Sequence, residues 1–224
     1  MLFHIITIFP KIFDSYVNES ILKRAQTNKL ITIKTHDVRQ FTKDKHKKVD
    51  DAPYGGGAGM VLKAEPILRA VESITKGKKS PKRKIVILSA KGKSFDQKTA
   101  NTWAKKYKEI IFISGRYEGI DERVKIALKA EEVSIGPYVL TDGDVAAMTI
   151  ISSVARLLPG VIKSESLKEE SHSYEHGLEY PQYTKAEIIT WKKKKYQTPK
   201  VLLSGNHGEI ARWRTGIVSK KRGE

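Results

Sequence analysis

The sequence contains no cysteine, no long hydrophobic run and comparatively few acidic residues. Without cysteine the chain forms no disulfide, offers no thiolate to a metal and has no cysteine nucleophile. No apolar stretch approaches the roughly 20 residues that span a bilayer. The apolar start, residues 1–9, lacks a basic leader and ends at Pro10, unlike a signal peptide. We therefore expect a soluble, cytoplasmic protein without a membrane partner.

The scarcity of acidic residues leaves the chain strongly basic, with 42 Lys and Arg against 25 Asp and Glu, a net charge of +17. Such a surplus favours a polyanionic partner, and nucleic acid is the first candidate. A membrane surface fits less well, because the basic residues are not gathered on one amphipathic segment. The alternative is a general enrichment in lysine without any partner. The 224 residues, 39% of them hydrophobic, allow one ordinary domain and a smaller one.

The stretch 110–123 combines a strand, a tight loop and a helix start. Ile110–Ile113 is short, β-branched and aromatic, which predicts a buried strand. Gly115 and Gly119 then bound a loop, and Asp121 is an acceptable N-cap for a following helix. In open α/β sheets, ligands bind at the edge where the carboxyl ends of the strands lie, and this loop would lie there. The alternative is an ordinary surface turn. The side chains in the loop are Arg116, Tyr117 and Glu118.

Three strand ends share this pattern, and together they predict an α/β fold with a parallel sheet. The loops are 88–92, 114–119 and 135–140, and a parallel sheet would bring them to one edge as a single site. The apolar and alternating patterns predict strands at 2–9, 30–35, 85–88, 110–113 and 131–135. A helix predicted at 145–158 is apolar on nearly every side, which indicates burial between layers or at a subunit interface.

The glycine-rich segment 53–60 has four glycines in five positions, so its backbone must turn sharply, approach something closely or move. It does not match the dinucleotide fingerprint. Gly92, Lys93 and Ser94 resemble the end of a nucleotide P-loop, but Ile87 stands where that loop needs glycine. The six histidines show no metal-ligand spacing, and no hydrolase elbow is present. We find no sequence basis for a metal site or for acyl chemistry.

The C-terminal part differs in composition from the rest of the chain. We predict a domain at 1–163, a polar linker at 164–183 and a small helical domain at 184–224. Lysines interleaved with Trp191, Tyr196 and Trp213 suit contact with RNA. The alternative is that the tryptophans form the core of this small domain.

Six segments, in order and over almost the whole chain, resemble bacterial tRNA (guanine-N1)-methyltransferases. They are residues 49–60, 114–123, 134–143, 154–161, 180–184 and 203–207. The resemblance implies a trefoil-knotted methyltransferase domain of the SPOUT class, a flexible linker, a helical tRNA-binding C-terminal domain and a homodimer. It implies methyl transfer from S-adenosylmethionine to N1 of the guanosine at position 37 of tRNA, just 3′ of the anticodon.

The resemblance also assigns residues to the site. Residues implied at the methyl donor are Leu88, Ser89, Ala90, Gly115, Tyr117, Glu118, Gly119, Ser134, Ile135, Gly136, Tyr138, Leu140 and Gly143. Residues implied at the tRNA are Asp50, Gly57, Gly59 and Arg116. A magnesium requirement is implied by the resemblance alone, and no residue indicates a metal site.

The reaction needs a base, because guanine N1 carries a proton, and a cation, because negative charge builds toward O6. Arg156 matches the family's arginine in the second role. The family's base is an acidic residue in the linker. A one-residue insertion near 175–176 places Glu170 there, an ungapped count places Ser171, and His172 remains a substitute.

Ala58, Pro137 and Asp142 depart from the family pattern. Asp142 adds a charge near the donor pocket, which would either lower donor affinity or serve as a helix cap. Two other functions remain open: a knotted methyltransferase for another RNA position or for a ribose 2′-hydroxyl, and a non-catalytic RNA-binding relative. A nucleotide hydrolase is disfavoured because neither phosphate loop is present.

Overall fold

The computed structural model describes residues 1–168 and 179–221. Glu170 and His172, the two linker residues predicted as the base, lie outside the described residues. The chain separates into two compact units, residues 1–163 and a second unit that begins at Ser164. In the described part of the chain, no helix is both long and apolar enough to cross a membrane.

The first unit alternates strands and helices along the chain. Its strands are β1 (Leu2–Thr7), β2 (Thr32–Asp37), β3 (Asp50–Asp51), β4 (Val61–Leu62), β5 (Arg83–Ser94), β6 (Glu109–Ser114) and β7 (Glu131–Ser134). Its helices are α1 (Asp14–Val17), α2 (Ser20–Thr27), α3 (Ala64–Thr75), α4 (Gln97–Lys106), α5 (Arg123–Leu128) and α6 (Asp144–Ala155), with 3-10 helices at Pro10–Phe13 and Val38–Phe41.

The central sheet confirms the predicted α/β class. Among the described residues its strand order is β2-β1-β6-β5-β7, and each of these pairings is parallel. The carboxyl ends of the strands therefore lie at one edge, as the three loops require. Strands β3 and β4 form a separate antiparallel pair that encloses the glycine-rich segment.

Both faces of the sheet are covered, because the side chains of a strand alternate between them. In β6, Ile110 and Phe112 join the cluster formed with α2, α4 and α6. Ile111 and Ile113 join the opposite cluster, formed with α3 and α5. All four side chains are fully buried. The continuous apolar run that indicated a buried strand therefore supplies the core on both sides.

Strand β5 is longer than the sequence predicted. It continues to Ser94, through residues 89–92 that were expected to be a loop. Its register against β7 shifts there, so that Val133 lies opposite both Leu88 and Lys93. A Cβ at Gly92 would stand only 2.4 Å from the backbone nitrogen of Val133. Only glycine allows the two backbones to approach this closely.

Two helix boundaries differ from the prediction. Helix α5 begins at Arg123, but the Asp121 carboxylate still accepts the Arg123 backbone N–H at 2.9 Å. Helix α6 ends at Ala155 rather than at 158. Its buried stripe includes Ile150 and Ile151, whereas Val145 is exposed. The apolar character around this helix thus reflects one buried and one uncovered side.

The second unit is not purely helical in its described part. It contains α7 (Ser164–Lys168), β8 (Ile188–Trp191), β9 (Lys194–Gln197), α8 (Lys200–Leu203) and α9 (His207–Lys221). The predicted helical character of this unit is found only in part, because β8 pairs with β9 as an antiparallel hairpin. The β-branched and aromatic residues of β8 explain this preference for a strand.

A buried polar chain crosses the sheet through neighbouring strands. The His4 Nδ1 atom lies 2.8 Å from Nε2 of His36, and the His4 Nε2 atom lies 3.4 Å from the Glu109 carboxylate. Glu109 in turn pairs with Arg83 at 2.6 Å. His4 is 6% exposed. Burial, followed by the nearby charges of His36, Lys34 and Arg83, lowers the pKa of His4 to about 4.

We predict that acid destabilises the fold through this chain. The lowered pKa means that the unfolded state binds more protons between pH 6.5 and about 4, so the free energy of unfolding falls as pH falls through that window. From pH 7 to 5 the loss attributable to His4 should be about 2 kcal/mol. His36 adds to it with the same sign, because burial and Lys34 lower its pKa.

Urea unfolding at pH 7, 6 and 5 measures this loss. His4→Asn should reduce the dependence on pH, whereas His46→Asn, at an exposed histidine, should leave it unchanged. If the free energy of unfolding depends on pH equally in wild type and in His4→Asn, the loss of stability in acid does not come from His4.

Candidate active site

A cavity of ≈ 420 Å³ opens at the carboxyl ends of β5, β6 and β7. This size is typical of a small-molecule site. The three loops selected from the sequence line it together, as predicted. The lining includes Leu88, Ser89, Ala90, Gly115, Arg116, Tyr117, Glu118, Gly119, Ser134, Ile135, Tyr138, Leu140 and Gly143.

Gly136 supports the wall of the cavity instead of lining it. The Ser134 hydroxyl donates to the Gly136 carbonyl at 2.8 Å, and the Gly136 N–H donates to the Ser134 hydroxyl oxygen at 3.3 Å. A Cβ at Gly136 would lie 2.2 Å from the Tyr138 ring. Glycine therefore lets Tyr138 fold back over its own loop, where its hydroxyl donates to the Ile135 carbonyl at 3.2 Å.

Gly143 lies close to two of the three loops. Its N–H donates to the Gly115 carbonyl at 2.9 Å. A Cβ at Gly143 would lie 3.0 Å from Ser114 Oγ and 3.1 Å from Leu88 Cβ. The start of α6 is thus in contact with Leu88 in the middle of β5 and with the end of β6.

Arg116 is held on two sides in the cavity wall. Its Nη2 atom donates to Asp142 Oδ2 at 3.1 Å, and its guanidinium lies 4.4 Å from the centre of the Phe9 ring. Among the described residues, its buried Nε has no hydrogen-bond partner. The structure therefore places this residue, predicted to contact tRNA, between Asp142 and Phe9.

Asp142 connects this arginine to α6. Its Oδ1 accepts the Asp144 backbone N–H at 2.9 Å. The N-cap residue of α6 is Gly143, so Asp142 satisfies a backbone donor of the first turn from one residue before the expected N-cap position. Burial raises its pKa, but the hydrogen bonds from Thr141, from the Asp144 backbone and from Arg116 together outweigh burial and hold the pKa below its usual value. The Asp142 side chain, 5% exposed, is therefore a charged anchor.

Asp144 is a second carboxylate beside the cavity, at 1% exposure. It bonds to Ser114 and to Thr7, yet burial dominates and raises its pKa. In the described part of the chain, its Oδ1 atom has no hydrogen-bond partner. The sequence indicated only a residue near a helix start, because its burial depends on the distant ends of β1 and β6.

The glycine-rich segment is connected to the cavity by backbone hydrogen bonds. The Glu118 N–H donates to the Met60 carbonyl at 3.0 Å, and the Leu62 N–H donates to the Gly119 carbonyl at 3.0 Å. A Cβ at Gly59 would lie 2.6 Å from the Glu118 side chain. Of the predicted tRNA-contact residues in this segment, Gly59 therefore lies directly beside a cavity loop.

Asp50 and Gly57 do not line the cavity. Asp50 lies in β3 and is half-buried. Gly57 has a φ of +132°, and a Cβ there would meet only the Pro53 side chain, at 3.8 Å.

An ion-pair network on another part of the cavity wall was missed by sequence reasoning. Lys125 Nζ lies 2.6 Å from the Glu132 carboxylate, and Lys91 Nζ lies 3.5 Å from both Glu122 and Glu132. The members come from β5, β7 and the start of α5, so no local motif connects them. Only the strand order could have indicated this network.

Arg156 lies at the far end of α6 from the cavity. It follows the last residue of the helix, is half-buried and is not part of the cavity lining. The rise of the helix separates the backbones of Gly143 and Arg156 by about 20 Å. Across the described residues, no group of three or more His, Asp or Glu side chains is arranged to hold a metal ion.

Comparison with known proteins agrees with this geometry. The family model described as tRNA (Guanine-1)-methyltransferase TrmD matches residues 1–223. Proteins named tRNA (guanine-N(1)-)-methyltransferase are 51% identical in Thermomicrobium roseum and 50% identical in Chloroflexus aggregans. Each alignment covers 96% of this chain, and 77% and 81% of the respective relatives. A relative of the same name in Dictyoglomus turgidum is 48% identical over 97% of this chain and 84% of its own length. The chain belongs to the tRNA (guanine-1)-methyltransferase family.

Proposed function

We propose that this protein transfers a methyl group from S-adenosylmethionine to N1 of the guanosine at position 37 of tRNA, 3′ of the anticodon. The observation that carries the proposal is the single cavity formed by the three loops at the carboxyl edge of the sheet. The family named for this reaction matches nearly the whole chain. With tRNA as substrate, the enzyme acts in the cytoplasm.

The cavity has the features that the methyl donor needs. Apolar walls at Leu88, Ile135 and Leu140 would receive its adenosine part, while backbone groups of the loop 115–119 are available for its polar atoms. The Glu118 carboxylate lines the same space and would attract a cationic ligand. When bound, the donor supplies an activated methyl group on a positively charged sulfur.

The distance to Arg156 supports a homodimer. The backbone of this arginine lies about 15 Å along α6 from Ala146, which also lines the cavity, and this distance exceeds the reach of its side chain to a methyl group held by its own chain. A second copy would bring an Arg156 to the cavity and complete the site. Apolar side chains suited to such a contact are exposed on the first unit, among them Phe9, Ile12, Tyr16 and Val145. The knotted SPOUT topology implied by the resemblance is part of the same proposal.

The chain's own groups then have distinct roles. As guanine N1 bonds to the methyl carbon, the carbon–sulfur bond breaks and the N1 proton passes to a base. Glu170 in the linker is the proposed base, with His172 as the alternative. The guanidinium of Arg156 stabilises the negative charge that develops on O6. No cluster in the described residues suggests where magnesium would bind, and no step requires it.

We predict methyl transfer from labelled S-adenosylmethionine to a tRNA transcript with G at position 37 and none to the same transcript with A. Glu170→Gln should lower the rate on the order of 100-fold, because an amide cannot accept the proton. Glu19→Gln, at an exposed glutamate, is the matched control and should retain full activity.

Transfer to both transcripts, or to neither, would overturn the proposed function. Full activity of Glu170→Gln would leave the proposed function intact but show that Glu170 is not the base. His172→Gln should then lower the rate of methyl transfer.

Donor affinity should depend on the link between Arg116 and α6. Asp142→Asn keeps an oxygen for the Asp144 N–H but removes the charge that anchors Arg116. We predict that the Kd for S-adenosylmethionine rises about three- to tenfold in Asp142→Asn, and further in Asp142→Ala, which loses both bonds. Calorimetric titration measures the effect, with Asp14→Asn as the exposed control. Wild-type affinity in both Asp142 variants would show that the anchor has no role at the donor site.

A further inference from the structure

The hairpin formed by β8 and β9 presents an uncovered face that combines aromatic and basic side chains. In an antiparallel pair, residues opposite each other share a face. Ile189 lies opposite Tyr196, and Trp191 lies opposite Lys194, so these four side chains form one face. Ile189, Trp191 and Tyr196 are 58%, 65% and 45% exposed. This result contradicts the alternative that Trp191 is a core residue of the small domain.

The charged groups of the hairpin lie next to the aromatic rings. Lys192 Nζ stands 6.0 Å from the centre of the Trp191 ring, and Lys194 Nζ stands 5.5 Å from the centre of the Tyr196 ring. Residues 188–197 contain four lysines and no acidic residue. A partner of this face must therefore supply both flat apolar surface and negative charge.

The turn of the hairpin also favours a role for its lysines. Lys192 and Lys193 have φ values of 46° and 64°, so both occupy the left-handed region. A two-residue turn of this kind strongly favours Asn-Gly or Gly-Gly. Lysine at both positions opposes the local backbone preference and places two cations at the tip. Residues that oppose local preference in this way occur preferentially at functional sites.

We propose that this hairpin is an RNA-contact platform, in which Trp191 and Tyr196 stack against an unpaired base of tRNA and Lys192, Lys193 and Lys194 hold the flanking phosphates. Stacking on aromatic rings combined with phosphate contacts is how proteins hold single-stranded nucleic acid. The net charge of +17 is consistent with a polyanionic partner. This inference rests on the proposed function, since it assigns a contact surface for the same substrate.

The double variant Lys192→Asn, Lys193→Gly tests the role of the lysines without weakening the hairpin. These residues suit the turn better, so a loss of binding cannot result from a damaged hairpin. In titrations of the full-length protein with unmodified tRNA at several salt concentrations, we expect about tenfold weaker binding at 0.1 M salt. The slope of log affinity against log salt should fall by about 2, because two phosphate contacts are lost. The control Lys78→Gln with Lys79→Gln removes two exposed charges elsewhere and should leave the slope unchanged.

The stacking role is tested by Trp191→Ala and Trp191→Phe. The alanine variant should bind tRNA at least fivefold more weakly with an unchanged salt slope, and phenylalanine should restore part of the affinity. In methyl-transfer assays the hairpin variants should raise the KM for tRNA, because they weaken its binding.

Unchanged affinity and slope in the lysine variant would overturn the proposal. So would a Trp191→Ala protein that binds tRNA normally but changes its oligomeric state, because the face would then be a protein interface. If wild type binds tRNA through the hairpin but transfers no methyl group, the proposed function fails and the inference about the platform stands.

Discussion

The candidate site depends on the close backbone approach at Gly143. Here the start of α6 meets Leu88 in β5 and the end of β6, with a hydrogen bond of 2.9 Å to the Gly115 carbonyl. A Cβ at position 143 would lie only 3.0 Å from Ser114 Oγ and 3.1 Å from Leu88 Cβ, so either neighbour would have to shift by a few tenths of an ångström. Parallel pairing brings the strand ends to one edge, but this contact turns three separate loops into one cavity. Gly92 has a similar role between β5 and β7, where no Cβ fits beside Val133.

The Asp142 carboxylate adds a charged contact between the segments that the backbone brings together. Asp142 accepts hydrogen bonds from Arg116 and from the first turn of α6, so one carboxylate links the loop after β6 to the helix that follows β7. The position departs from the pattern the sequence resembles, and the expected consequence was either a cap or a loss of donor affinity. The geometry shows a hydrogen bond to the first turn of α6 and an ion pair with Arg116, which favours a positioning role over simple interference.

The sequence predicted features that depend on local pattern. The buried strand at 110–113 and its glycine-bounded loop were visible because β-branched residues and glycines have strong local preferences. The extension of β5 was missed because Lys91, Gly92 and Lys93 are typical of a loop, and only the shifted pairing with β7 makes them a strand. The hairpin was missed for a related reason: its turn is Lys192-Lys193, without the glycine or asparagine that normally marks one. The ion pairs of Glu132 depend on strand order, which no local pattern encodes.

Hydrogen–deuterium exchange with S-adenosylmethionine alone tests whether the three loops form one donor site, as proposed. We expect slower exchange at 88–92, 115–119 and 134–140 over the same range of donor concentration, with no change in the hairpin at 188–197. Protection that leaves out one of the three loops, or that appears in the hairpin instead, would contradict the proposal.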